Sequence, residues 1–157
     1  MEYKQLLLRT SVCAMACDGH IDNREKEELD YIEKESPYFK SEDLNQLLNQ
    51  LIDECSSDFD QFKSTLFSEL QQSNLNIVQE LTLLEISLRI IAADMIELPS
   101  EKEFIISLRK NLKLDTDIIL ERFTNVDYLN EKKAEFKDFN KIEIETNKIE
   151  SKNKRKK

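Results

Sequence analysis

Four carboxylates stand out by type and spacing. Asp18 and Glu25 are seven residues apart, and so are Asp94 and Glu101, 76 residues further on. Each Asp closes an apolar run, Ala14-Met15-Ala16-Cys17 in one case and Ile90-Ile91-Ala92-Ala93 in the other. Each Glu opens a new helical pattern after a short polar break. Along one straight helix, residues seven apart share a face but lie about 10.5 Å apart, too far to share one ion. A chain break between them, which Gly19 permits, folds the Glu back toward the Asp. If the two turns face each other, four carboxylates converge. Oxygen-only donors suit Ca²⁺, Mg²⁺ or Mn²⁺. Asp22 and Glu97, inside the two turns, are candidate additional ligands.

Helix capping is the competing explanation. Carboxylates near helix starts accept from exposed backbone N–H groups and interact well with the helix dipole. That accounts for Asp22, Glu25 and Glu101 without any ion. It accounts less well for Asp18 and Asp94, which follow the ends of helices, where negative charge is disfavoured. An EF-hand is excluded by spacing: with Asp18 as its first position, Gly19 falls at 2 and Glu25 at 8, whereas that loop needs Gly at 6 and Glu at 12.

The elements that must position these acids are helical. The chain has 157 residues, enough for one domain with a real core, and only one Gly and two Pro. The spacing predicts a helix over Tyr3–Cys17, thinned by Ala14 and Ala16 and stopped by Gly19. Asp22 and Glu25 form a capping box for a second helix, which Pro37 ends. A third helix starts at Ser41 and carries Leu44, Leu48, Leu51 and Cys55, with a break at Ser56-Ser57. A fourth carries Phe59, Phe62, Leu66 and Leu70. Ile77–Ala93 is apolar on nearly all sides and is expected at the centre of the core. Pro99 opens a sixth helix, and Asp115 or Thr116 caps a short seventh. The expected fold is all-α, a compact bundle of about seven helices built from two related helix-turn-helix halves. Residues 1–126 form the domain. Residues 127–157 read as a charged tail, in which Ile142 and Ile144 alternate with charges.

The formal net charge is -9, and the five positive charges of Lys152–Lys157 conceal a body of -14. Such a body repels nucleic acid and suits cations or basic partners. The basic end can make peripheral membrane contact, although a solvated terminus is the simpler reading. No apolar run approaches a membrane span, and Leu6–Leu8 is too short for a secretion signal. Cys13, Cys17 and Cys55 read as reduced, largely buried thiols of a cytoplasmic protein, since a zinc site needs more soft ligands than His20 adds. No nucleophile motif and no Gly-rich phosphate loop is present.

Ala16-Cys17-Asp18-Gly19-His20-Ile21, followed by Glu25 and Leu29, resembles the signature of the tellurite-resistance TerB family, related to the N-terminal domain of DjlA-type co-chaperones. Ile91-Ala92-Ala93-Asp94 with Glu101 and Ile105 is similar to that family's second repeat. The resemblance spans about residues 3–125. It implies an all-helical fold, a divalent-cation site at Asp18, Glu25, Asp94 and Glu101, and a non-enzymatic scaffold role in a stress-response or defence assembly with protein partners. One departure is plain: Met95 stands where the family has Gly. A side chain resists left-handed backbone, so distortion of the second turn is expected. Two other functions fit the residues, a metal-independent interaction module of co-chaperone type and, with less support, a carboxylate-metal hydrolase.

Overall fold

A computed structural model describes residues 1–39, 44–96 and 98–129. Seven α-helices appear among them: α1 (Tyr3–Ala16), α2 (Asn23–Glu35), α3 (Asn45–Ser57), α4 (Phe59–Gln72), α5 (Ile77–Ala92), α6 (Pro99–Lys110) and α7 (Thr116–Arg122). Single 3-10 turns follow α2 at Pro37–Phe39 and α7 at Asp127–Leu129. The fold is all-α. Met1–Leu114 makes one compact unit, and Asp115 opens a second that contains α7. The charged tail expected beyond Asp127, with its alternation at Ile142 and Ile144, lies outside the described residues from 130 onward, as does Ser41.

Local chemistry sets most helix ends. Asp22 accepts from the Arg24 backbone N–H, and Glu25 accepts from the Asp22 N–H, completing the expected box. Asn76 and Gln79 form a second box at the start of α5. Pro99 occupies the first position of α6, where its missing N–H costs nothing. The break expected at Ser56-Ser57 falls one residue later, at Asp58. Helix α3 continues through Ser57, and Asp58 separates it from α4 by capping the Gln61 N–H at 3.1 Å. The Ser57 hydroxyl donates to the Asp53 carbonyl one turn back at 3.0 Å, which leaves Asp58 as the cap of α4.

The core is organised around both α1 and α5. Helix α1 packs against α5, α3 and α4 and touches α2 and α6. Every residue from Leu6 to Met15 except Arg9 is buried. Its two interior hydroxyls pose no problem: Thr10 and Ser11 donate to the carbonyls of Leu6 and Leu7, one turn back. Helix α5 packs on α1, α2 and α6. Each fully buried Leu or Ile in this contact contributes roughly 1.5–3 kcal/mol.

Polar contacts fix the register of the packing. The Tyr3 hydroxyl donates to the Gln79 carbonyl at 2.7 Å, joining the first turns of α1 and α5. Asp18 after α1 and Asp94 after α5 both act on the Glu25 carboxyl, so the far ends of the two helices also meet and the helices run the same way. Arg89, in the last turn of α5, donates twice to one oxygen of Glu28 on α2, at 2.8 and 3.1 Å. Arg9 pairs with Glu54 on α3 while its guanidinium lies over the Phe62 ring of α4. Buried Glu80 accepts from the Lys113 N–H, and the Lys113 ammonium caps the Leu70 and Ser73 carbonyls at the end of α4.

The turns that end α1 and α5 both contain one left-handed residue, Gly19 at φ 100° and Met95 at φ 61°. The expected distortion at Met95 does not occur. Its side chain is 90% exposed, so it meets no obstacle beyond its own backbone. An added Cβ at Gly19 meets no atom within 4 Å. The cost of a side chain at either position is therefore conformational, about 1–2 kcal/mol. Thermal unfolding should show Met95→Gly raising Tm by about 2–4 °C and Gly19→Ala lowering it by a similar amount.

Candidate metal centre

The two turns repeat one hydrogen-bond pattern. In the first, the Gly19 N–H closes on the Ala16 carbonyl at 2.9 Å, and Asp18 accepts from the His20 N–H at 3.2 Å. In the second, the Met95 N–H closes on the Ala92 carbonyl at 3.1 Å, and Asp94 accepts from the Ile96 N–H at 3.0 Å. Glu25 then accepts from the Asp22 N–H and Glu101 from the Leu98 N–H, both at 3.0 Å. Each Asp thus folds its own turn, and each Glu reaches back to the residue before its helix. Both glutamates are driven into the interior by this reach and are fully buried.

Three of the four sequence-selected acids come together. Glu25, Asp94 and Glu101 each offer an oxygen, and these oxygens lie within 4.8 Å of one another. Asp18 is not one of that trio. Its side chain is nearly buried, and its charge is felt at Glu25. Of the two supplementary candidates, Asp22 has Oδ1 committed to the Arg24 N–H at 2.7 Å, and Glu97 lies outside the described residues. Arg24 was not foreseen. Its guanidinium donates to the Asp94 main-chain carbonyl at 3.2 Å, tying the start of α2 to the turn after α5. No local pattern marks that role, because the partner is 70 residues away.

Capping explains one oxygen of each glutamate. It leaves Glu25 Oε2, which is buried and has no hydrogen-bond partner. A buried acceptor without a partner costs about 1–3 kcal/mol, and more when charged. Nearby acids add repulsion. Burial pushes the Glu25 carboxyl up to about 7; the bond from the Asp22 N–H opposes this, while Asp18, Asp94 and Glu101 add to it. The same carboxylates act on Cys17, whose thiol is raised to about 12, first by burial and then by Glu101, Asp18 and Glu25. A proton or a cation relieves such a cluster.

The donor set fits a hard cation. Oxygens contacting one ion at 2.3–2.6 Å can lie at most about 5 Å apart, and the trio falls inside that limit. Carboxylate oxygens match Ca²⁺, Mg²⁺ and Mn²⁺ in hardness. His20 is 71% exposed and faces Asp18 across 3.8 Å. No family model, curated protein or solved structure matches this chain.

The raised Glu25 carboxyl has a definite consequence for stability. Its pKa in the folded chain lies above its unfolded value near 4.5. The folded state therefore holds the proton more tightly, and folding is favoured most below the unfolded value. That contribution is lost as pH rises through about 7. Glu33, also raised to about 7 by burial and by Asp30, acts in the same direction. With chelator present, Tm should fall between pH 4.5 and 7, and Glu25→Gln should flatten the fall in part while keeping the acceptor for the Asp22 N–H. An unchanged pH profile in that variant would refute the assignment.

Proposed function

We propose that this chain is a TerB-like, divalent-cation-binding helical domain that serves as a non-enzymatic scaffold in a cytoplasmic stress-response or defence assembly. The observation that carries the cation reading is the buried meeting of Glu25, Asp94 and Glu101 with one Glu25 oxygen unpartnered. Glu25, Asp94 and Glu101 would hold the ion, and Asp18 would add negative charge beside it. The ion would neutralise the cluster and hold the ends of α1 and α5 against the starts of α2 and α6. The repeated hydrogen-bond pattern of the two turns supports two related halves and, with the signature residues, the family resemblance. Cys13, Cys17 and Cys55 are all free thiols, which suits a reducing compartment. Among the described residues, no helix is long and apolar enough to cross a membrane.

A metal-independent interaction module has one observation in its favour. Met95 and Ile96 are 90% and 58% exposed, side by side on the second turn. Adjacent exposed apolar side chains of this kind suit a protein contact.

Calorimetric titration with Ca²⁺, Mg²⁺ and Mn²⁺ separates the two. The cation reading expects saturable binding and a rise in Tm that grows with ion concentration. Asp94→Asn combined with Glu101→Gln should weaken binding at least about tenfold with the helical circular dichroism retained. Asp18→Asn alone should have a smaller effect, because Asp18 stands outside the trio. Absence of heat and of any Tm change at millimolar ion would sink the cation reading and favour the interaction module.

A further inference from the structure

A cavity of about 470 Å³ lies between the turn after α1 and the junction of α3 with α4. That volume falls within the roughly 300–1,000 Å³ of small-molecule sites. Its wall is largely apolar. Ile21, Ile52 and Phe59 line it, and all three are only half-buried, so each keeps apolar surface open to a ligand. Cys17 and Cys55 add their sulfurs. Burial is the main cause that raises these thiols, to about 12 and about 11, so both are uncharged at neutral pH. Charge sets the cavity apart from the rest of the surface. Asp and Glu are 32 of the chain's 157 residues, yet none of the ten residues lining the cavity is acidic. One of the ten, Lys26, is basic, and its neighbours on α2 do not neutralise it. Asp30, one turn along, is held by Lys34 at 2.9 Å, and Asp22, one turn back, has Oδ1 on the Arg24 N–H. Among the described residues, no carboxylate pairs with the Lys26 ammonium.

We propose that this cavity binds a small monocarboxylate with an aliphatic body, its carboxylate paired with the Lys26 ammonium and its hydrocarbon laid over Ile21, Ile52 and Phe59. Covering half-buried apolar side chains supplies the affinity, and one placed charge fixes the orientation. A single Lys is a point charge matched to a single carboxylate. A phosphate held in bidentate fashion calls for Arg, and none lines the cavity. Phe59 is the one phenyl ring in the lining, and the Lys63 ammonium already lies over it, 5.3 Å from its centroid. The wall therefore suits an aliphatic body better than a stacked aromatic one. His20 also borders the cavity, but its Nδ1 faces Asp18 at 3.8 Å, so it shapes the mouth and does not hold the ligand. All of these groups already line the space. The site does not depend on the carboxylate trio binding a cation.

The probe is octanoate, titrated into the full, isotope-labelled chain with chelator present and followed by amide chemical shifts. Saturable shifts are expected at Cys17, Gly19, His20 and Phe59, with Glu101 unmoved. Lys26→Gln should weaken binding at least about fivefold. Octanol, with the same body and no charge, should bind the native chain at least about fivefold more weakly than octanoate. Ser56→Trp fills the cavity from an exposed lining position and should weaken binding at least about tenfold. His20→Ala should change it less than about twofold. Lys26 and Ser56 are both exposed, so neither variant disturbs the core. Absence of saturable shifts, octanol binding as tightly as octanoate, or full octanoate affinity in Lys26→Gln overturns the proposal.

Discussion

Three carboxylates held within 4.8 Å of one another, where the starts of α2 and α6 meet the end of α5, set the central constraint on this molecule. Like charges at that separation are expensive away from water, and each needs a reason to be there. The reason is geometric. Glu25 and Glu101 sit three residues into their helices and reach back to the N–H of the residue before, which turns both side chains inward. Asp94 is held beside them by its own turn and by Arg24, which grips its carbonyl from α2. The cluster is thus a product of helix-end chemistry repeated at two places that tertiary packing brings together.

The apolar bundle makes that juxtaposition possible. Helices α1 and α5 run side by side in one direction, with their first turns joined by Tyr3 and Gln79. Their last turns must then arrive at the same end. The buried faces of α1 from Leu6 to Met15 and of α5 from Leu83 to Ile91 hold this alignment. The Arg89–Glu28 pair fixes α2 across it. A single stretch, Cys17 to Ile21, has two different sides. Its carboxylate side adjoins the oxygen cluster, and its thiol side lines the cavity with Cys55.

Met95 shows how a local rule yields to context. A methionine in the left-handed region is disfavoured by its own backbone, yet here it faces solvent and meets nothing else. The strain of one residue is small beside the burial of α5 and α6 on either side of it. The turn therefore keeps the geometry of its glycine-containing counterpart, and Asp94 reaches the cluster.

The residue sequence alone determined the helices, the break after Asp18, the Asp22–Glu25 box, Pro99 at the start of α6 and the list of acids worth attention. These are local properties: periodicity, caps and chain breakers act within about one turn. The end of α3 runs through the expected Ser56-Ser57 break, and the break falls instead at Asp58, which caps α4. Only the tertiary structure decided that Glu25, Asp94 and Glu101 meet while Asp18 stands aside, that Arg24 bridges the two turns, and that Cys17 and Cys55 share a cavity. Those relations join residues up to 76 positions apart. Their distances are set by how helices pack, which no spacing along the chain records.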